Sequence, residues 1–139
     1  MKKIRSSKKG FTLAELLIVV AIIGVLVGIS IPIFSAQLKK SRIATNQANA
    51  RAAYAAAKAA YLDTEGTRGG TYVVDTGVFT AATTAPTTDG TEVATTKGIN
   101  AWATDTTISE LIDDKVATKW YVSLDADGAV IRIAADGLS

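Results

Sequence analysis

The sequence predicts an α+β chain in which one long amino-terminal α-helix packs its second half on a small antiparallel β-sheet. Three observations predict it. From Phe11 to Phe34 the chain reads FTLAELLIVVAIIGVLVGISIPIF, with Glu15 as the only ionisable group. An alanine-rich stretch follows directly, SAQLKKSRIATNQANARAAYAAAKAAYL, whose composition has the highest helix propensity available. From Thr71 to Ala134 come short alternating runs punctuated by glycine turns, the mark of strands.

Residues 1–10 hold Lys2, Lys3, Arg5, Lys8 and Lys9 and no acid. A basic flank beside an apolar helix is retained on the cytoplasmic side, which predicts an N-in, C-out orientation. Lys39, Lys40 and Arg42 oppose this at the far end, three charges against five. The apolar run of about 24 residues, 11–34, spans roughly 36 Å as a helix and is long enough to cross a bilayer. A carboxylate in such a run costs roughly 2.5 kcal/mol or more at mid-depth and less near an end. Glu15 is therefore either an acid tolerated near a helix end or a group with a partner, and the basic flank and Gly10 favour the second. A secretory signal places small residues after its apolar core. Here only Ser35-Ala36 stands in that place, behind Pro32. Gly10 instead lies at the polar-apolar boundary, where a peptide bond can be reached from the membrane surface. A cut there removes the leader and keeps the whole apolar helix.

Residues 35–62 continue the helix. Ala48, Ala52, Ala55, Ala59 and Leu62 recur at spacings of four and three, which predicts the packed stripe. Asn46, Asn49, Arg51 and Lys58 fall off that stripe and are expected to meet water. Asp63-Thr64-Glu65-Gly66 then ends the helix. Within the apolar half, Gly24 and Gly28 form a GxxxG pair, either a close-packing face or simply the small residues such helices carry. Pro32 clashes with the carbonyl of Gly28 and removes a hydrogen bond, which predicts a kink or soft spot.

Residues 63–139 form the predicted globular β head. Strands are expected at Thr71–Val74 and Val78–Thr80, followed by an exposed Thr-rich loop over about 80–98 with at most one short strand near Glu92-Val93. Thr107-Ile108-Ser109-Glu110 has the pattern of a capping box and predicts a short helix to about Lys115. Lys119–Leu124 and Ala129–Ala134 alternate around Asp125-Ala126-Asp127-Gly128, a hairpin signal.

The 139 residues allow one small domain beside the apolar helix. Histidine and cysteine are absent, which removes the commonest metal ligands and nucleophile-base pairs. Catalysis and a cofactor are therefore not expected. Asp113-Asp114, Asp125 and Asp127 could hold a hard cation in principle. The Asp125-x-Asp127-Gly128 run lacks the third acidic position and distant glutamate of a calcium loop, so a tight turn is the preferred reading and no metal is expected. The net charge of +2 owes its sign to the leader. Without those five positives, ten basic residues face thirteen acids, a charge of −3. No basic stripe remains for nucleic acid.

The junction Lys8-Lys9-Gly10-Phe11-Thr12-Leu13-Ala14-Glu15 and the apolar run behind it resemble the amino terminus of type IV prepilins and the related pseudopilins. The resemblance is dense over about residues 8–34 and fades after about residue 60. It implies a type IV pilin-like fold, with leader recognition at Lys8 and Lys9 by a membrane-embedded prepilin peptidase. It further implies cleavage between Gly10 and Phe11, N-methylation of Phe11, and assembly through Glu15, Gly24 and Pro32; Gly28 joins the assembly residues through its GxxxG spacing with Gly24. In that family the segment matching Gly24 to Pro32 loses helicity within assembled pili. Many Gram-negative pilins close the carboxy-terminal loop with a disulfide, so a chain without cysteine leans toward a Gram-positive source.

The implied product is a homo-oligomeric helical filament, built from membrane-stored subunits by an assembly ATPase and a platform protein and displayed at the cell surface. A pseudopilin of a type II secretion or DNA-uptake system is the alternative, since its amino terminus looks the same. A membrane-anchored surface binding module is a more distant one.

Overall fold

The computed structural model describes residues 10–87, 90–95, 112 and 115–139. Helix α1, Leu13–Asp63, passes through two compact units, 1–37 and 38–139. In the first unit the helix is apolar on every face, and each large apolar residue from Leu13 to Phe34 is exposed. No other described element accompanies it there.

The second unit has its own core. Its sheet contains β1 (Gly69–Val73), β2 (Val78–Ala82), β3 (Thr91–Thr95), β4 (Lys119–Leu124) and β5 (Val130–Asp136). The strand order is β2-β1-β4-β5-β3, with every neighbouring pair antiparallel. Two local hairpins, β1–β2 and β4–β5, are thus joined edge to edge through β1 and β4. Trp120, Val122 and Leu124 of β4 and Ile133 of β5 are buried in one cluster with Ala50, Ala53 and Ala57 of α1. The sheet supplies the bulk and the helix supplies the close approach, a complementarity of large on small.

Each helix end is closed by side chains. Gly66, at φ +87°, takes the left-handed conformation that stops α1. Thr67, almost wholly buried, donates its hydroxyl to the carbonyl of Thr64 at 2.9 Å. The last turn and the β4–β5 turn are then tied together. Lys58 Nζ donates to the Gly128 carbonyl at 2.7 Å and the Tyr61 hydroxyl to the Ala126 carbonyl at 3.1 Å. Gly128 has φ +77°, and any side chain there would run into the Tyr61 ring.

The strands expected from sequence are present, with β4 at its expected limits and the others moved or extended by one or two residues. The buried face of α1 is different from the expected one. It consists of Asn46, Ala50, Ala53 and Ala57, whereas Ala48, Ala55 and Ala59 are exposed and Leu62 is 84% exposed. The two stripes differ by two residues, about 200° around a helix and so nearly opposite. Alanine occurs on all sides of this segment, so alanine spacing could not choose between them. What selects the face is Asn46, expected in water but 2% exposed. Its Nδ2 donates to the Lys115 carbonyl at 2.8 Å, and its Oδ1 accepts from the Ala117 amide at 3.1 Å. Lys58 likewise does not simply meet water but bonds the β4–β5 turn. The short helix expected up to about Lys115 lies outside the described residues except at Ile112, which is helical and buried, and at Lys115, which is in no regular element.

Candidate functional site

Gly10, Phe11 and Thr12 precede α1 without regular structure, and all three are exposed. The helix begins with a reciprocal pair of bonds. The Glu15 amide donates to Thr12 Oγ1 at 3.2 Å, and the Thr12 amide donates to Glu15 Oε2 at 3.1 Å. Two of the four amides that a helix start leaves unsatisfied are thereby bonded. The carboxylate also sits in the first turn, where the helix dipole favours negative charge. Glu15 Oε2 is engaged in this cap, and a carboxylate offers further acceptor sites on its second oxygen.

The signal for this role is local: Thr12-x-x-Glu15 is the same capping-box pattern as residues 107–110, set at the start of an apolar run whose cost to a carboxylate points instead to a partner outside the chain. Lys8 and Lys9 lie outside the described residues. Phe11 is 89% exposed, and with Gly10, Thr12 and Glu15 it lines a shallow open concavity.

Further along the apolar half, a side chain added at Gly24 or Gly28 would meet nothing within 4 Å. The structure brings neither glycine against another part of the chain. Helix α1 continues through Pro32 without a break in its assignment. The proline still supplies no amide to the Gly28 carbonyl. Around it, Ser30 Oγ donates to the Leu26 carbonyl at 2.7 Å and Ser35 Oγ to the Ile31 carbonyl at 3.1 Å. Both hydroxyls are satisfied inside the helix, as an apolar surrounding requires.

In the head, Asp125 forms the tight turn. Its Oδ1 accepts from the Asp127 amide at 3.0 Å and from the Ala129 amide at 2.8 Å. Asp113 and Asp114 lie outside the described residues, and among those described no group of three potential metal ligands gathers.

Helix α1 is long and apolar enough near its amino terminus to cross a membrane. Residues 5–31 match the family model of the prokaryotic N-terminal methylation motif. Over these residues the chain carries the motif that supports a prepilin of the type IV pilin and pseudopilin type. No curated protein and no solved structure matches the chain. The prepilin motif marks structural subunits rather than enzymes, and with the apolar helix it fits a membrane-anchored precursor that a prepilin peptidase and assembly machinery handle. The α+β arrangement, a long amino-terminal helix with a small antiparallel sheet, is the one expected of a pilin-like chain.

Proposed function

We propose that this chain is the structural subunit of a type IV pilus, stored in the cytoplasmic membrane with its amino terminus inside and polymerised through the apolar half of α1. The observation that carries this reading is the bare helix 13–34, apolar on all faces and opened by the Thr12–Glu15 cap directly after Gly10. The peptidase cuts between Gly10 and Phe11, with Lys8 and Lys9 in the recognised leader, and Phe11 is methylated at its new amine. That amine stays cationic near neutral pH, with a reference pKa near 7.7–8.0.

Four residues separate Phe11 from Glu15, about 6 Å of helix rise. A pair formed between the Phe11 ammonium of one subunit and the Glu15 carboxylate of its neighbour therefore sets an axial offset. Within its own chain the carboxylate is already held by Thr12, so it reaches the neighbour in a fixed position. Buried pairs add little net stability, whereas stranding one partner costs about 3–5 kcal/mol. The pair thus acts on register. Gly24, Gly28 and Pro32 leave the same helix narrow and locally weak where neighbours must approach.

Mass spectrometry of the amino-terminal peptide should show a chain starting at N-methylated Phe11. An intact leader in surface material sinks the proposal. A pseudopilin shares this amino terminus, and electron microscopy of shed material separates the two. Long surface filaments whose subunit is this chain support the pilus, and assemblies confined to the envelope support the pseudopilin. The Thr-rich composition of the head's segment past β2, exposed at Thr83, Thr84 and Thr87, favours the pilus.

A further inference from the structure

Three basic residues stand at the end of the apolar run where an orientation set by the leader disfavours them. Lys39, Lys40 and Arg42 follow Phe34 within about two turns of α1, and all three are exposed. The residues between, Ser35, Ala36, Gln37 and Leu38, carry no charge. Leu38 ends the series of exposed large apolar side chains that begins at Phe11, and among the described residues the next is Leu62. The helix surface thus turns from apolar to basic between Leu38 and Lys39.

The helix supplies no acid to balance these charges. None occurs between Glu15 and Asp63, whereas residues 63–139 hold twelve acids against five basic residues. Lys39 and Arg42 also make contacts within the chain, and both remain exposed. At 3.6 residues per turn, side chains 42, 39 and 40 point in directions spread over about 160° of the circumference. They form a collar and not a single face. A collar suits a partner that surrounds the helix, as a bilayer does, better than one protein surface.

We propose that Lys39, Lys40 and Arg42 bind the phosphates of anionic lipid headgroups where the apolar run leaves the membrane. This rests on the membrane-stored subunit of the reading above. The run and the collar share one helix, which places the three residues roughly 7–12 Å of helix rise beyond Phe34. The long stems of lysine and arginine let their charged heads reach back to headgroups at that height. Arg42 offers a planar fork that matches two phosphate oxygens, and the lysines act as point charges. Once the leader is cut, the inner flank keeps only the Phe11 ammonium beside Glu15, so the collar is the main positive charge flanking the run. It fixes how deep the stored subunit rests, and its lipid contacts are ones that extraction into a filament must break.

The chain has no cysteine, so Ala36→Cys, exposed and one turn before Lys40, carries a single fluorophore beside the collar. The labelled full chain is placed in neutral phosphatidylcholine vesicles with a small share of quencher, either nitroxide-bearing phosphatidylglycerol or nitroxide-bearing phosphatidylcholine. Quenching is short-ranged and reads the lipid around residue 36, so the leader at the other end of the run does not contribute. At low salt the anionic quencher should act roughly fivefold more strongly than the neutral one, the counterpart of one basic side chain at an anionic surface. The ratio should fall toward one in about 1 M salt, where screening acts over about 3 Å. Lys39→Gln/Lys40→Gln/Arg42→Gln should bring it to one at low salt as well. Lys39→Arg/Lys40→Arg/Arg42→Lys should keep it, which separates charge from any change in folding. Arg51→Gln, nine residues past the collar, should keep it too. A low-salt ratio near one in the unaltered collar overturns the proposal, as does a ratio that the glutamine variant keeps or that Arg51→Gln loses. Absence of quenching by either lipid would overturn the membrane-stored reading itself, and the collar with it.

Discussion

The two halves of α1 are built from opposite materials. Residues 13–34 are rich in leucine, isoleucine and valine, and the structure buries none of them. Residues 46–57 offer mainly alanine, and there Ala50, Ala53 and Ala57 are completely buried. Burial here follows what stands opposite, not how apolar the residue is. The alanine half faces Trp120, Val122, Leu124 and Ile133 of its own sheet. The aliphatic half has no such partner among the described residues. Leaving it in water costs about 1.5–3 kcal/mol for each Val, Leu or Ile side chain left unburied. That half is complete only in lipid or against other copies, whereas the head is complete by itself.

The largest effect is expected where the comparison is most extreme, at Glu15. Glu15→Ala should be exported, inserted and cleaved, yet fall at least about tenfold in sheared filaments relative to the membrane fraction, since an unpaired ammonium costs about 3–5 kcal/mol in an apolar bundle. Glu15→Gln keeps the capping geometry, because glutamine serves that position of the box as well as glutamate does. It should therefore fail nearly as badly, which assigns the defect to charge. Normal filament yield from Glu15→Ala would leave the carboxylate as a passenger and the first half as a plain anchor.

The head should respond on its own scale. Trp120→Ala empties the centre of the core and should cost about 3–5 kcal/mol. Trp120 is fully buried and its Nε1 finds no hydrogen-bond partner among the described residues. Trp120→Phe should therefore cost clearly less, as no bond is lost with the indole. Equal losses in thermal melts of residues 38–139 would show that the indole nitrogen is paired after all. Asn46→Ala strands the buried Ala117 amide, at about 1–3 kcal/mol, and releases the Lys115 carbonyl, which belongs to an exposed residue and can turn to water. For a domain of this size that lowers the thermal midpoint by roughly 5–20 °C. A shift below a few degrees would mean that the face of α1 is chosen by alanine packing and not by Asn46.

What was legible in the sequence divides along the same line. The apolar half states its case in one dimension, since a run of aliphatic residues with one acid needs no partner to be recognised. The β4–β5 hairpin was equally plain, because Asp125 and Gly128 have local tasks in the turn itself. The buried face of the alanine half was not legible. Its determinants are bonds from Asn46 to residues 69 and 71 positions away, and from Lys58 to one 70 positions away. No periodicity along α1 encodes such partners. The Thr12–Glu15 cap is the opposite case, a signal contained within four residues, which the cost of a carboxylate in an apolar run directs toward a partner in another chain instead of the helix's own amides.

The smallest effect tests whether the β4–β5 pair is held by a titratable contact. Tyr121 donates its hydroxyl to Asp136 Oδ2 at 3.2 Å, and its pKa is raised above 10.0, first by burial and then by the bond to Asp136 and that group's charge. The folded state therefore holds the phenol proton more tightly than the unfolded chain does. The contribution is fully present below about pH 10 and is lost as pH rises through the folded value. Tyr121 is only half-buried, so the bond contributes at the low end for its kind, about 0.5–1 kcal/mol. Tyr121→Phe should lower the neutral-pH midpoint by a few degrees and flatten the decline on the alkaline side. Measured between neutral pH and the alkaline limit, parallel curves for the two proteins would assign that decline to other groups. Converging curves would fix the contact between β4 and the end of β5 as part of what makes the head complete without its neighbours.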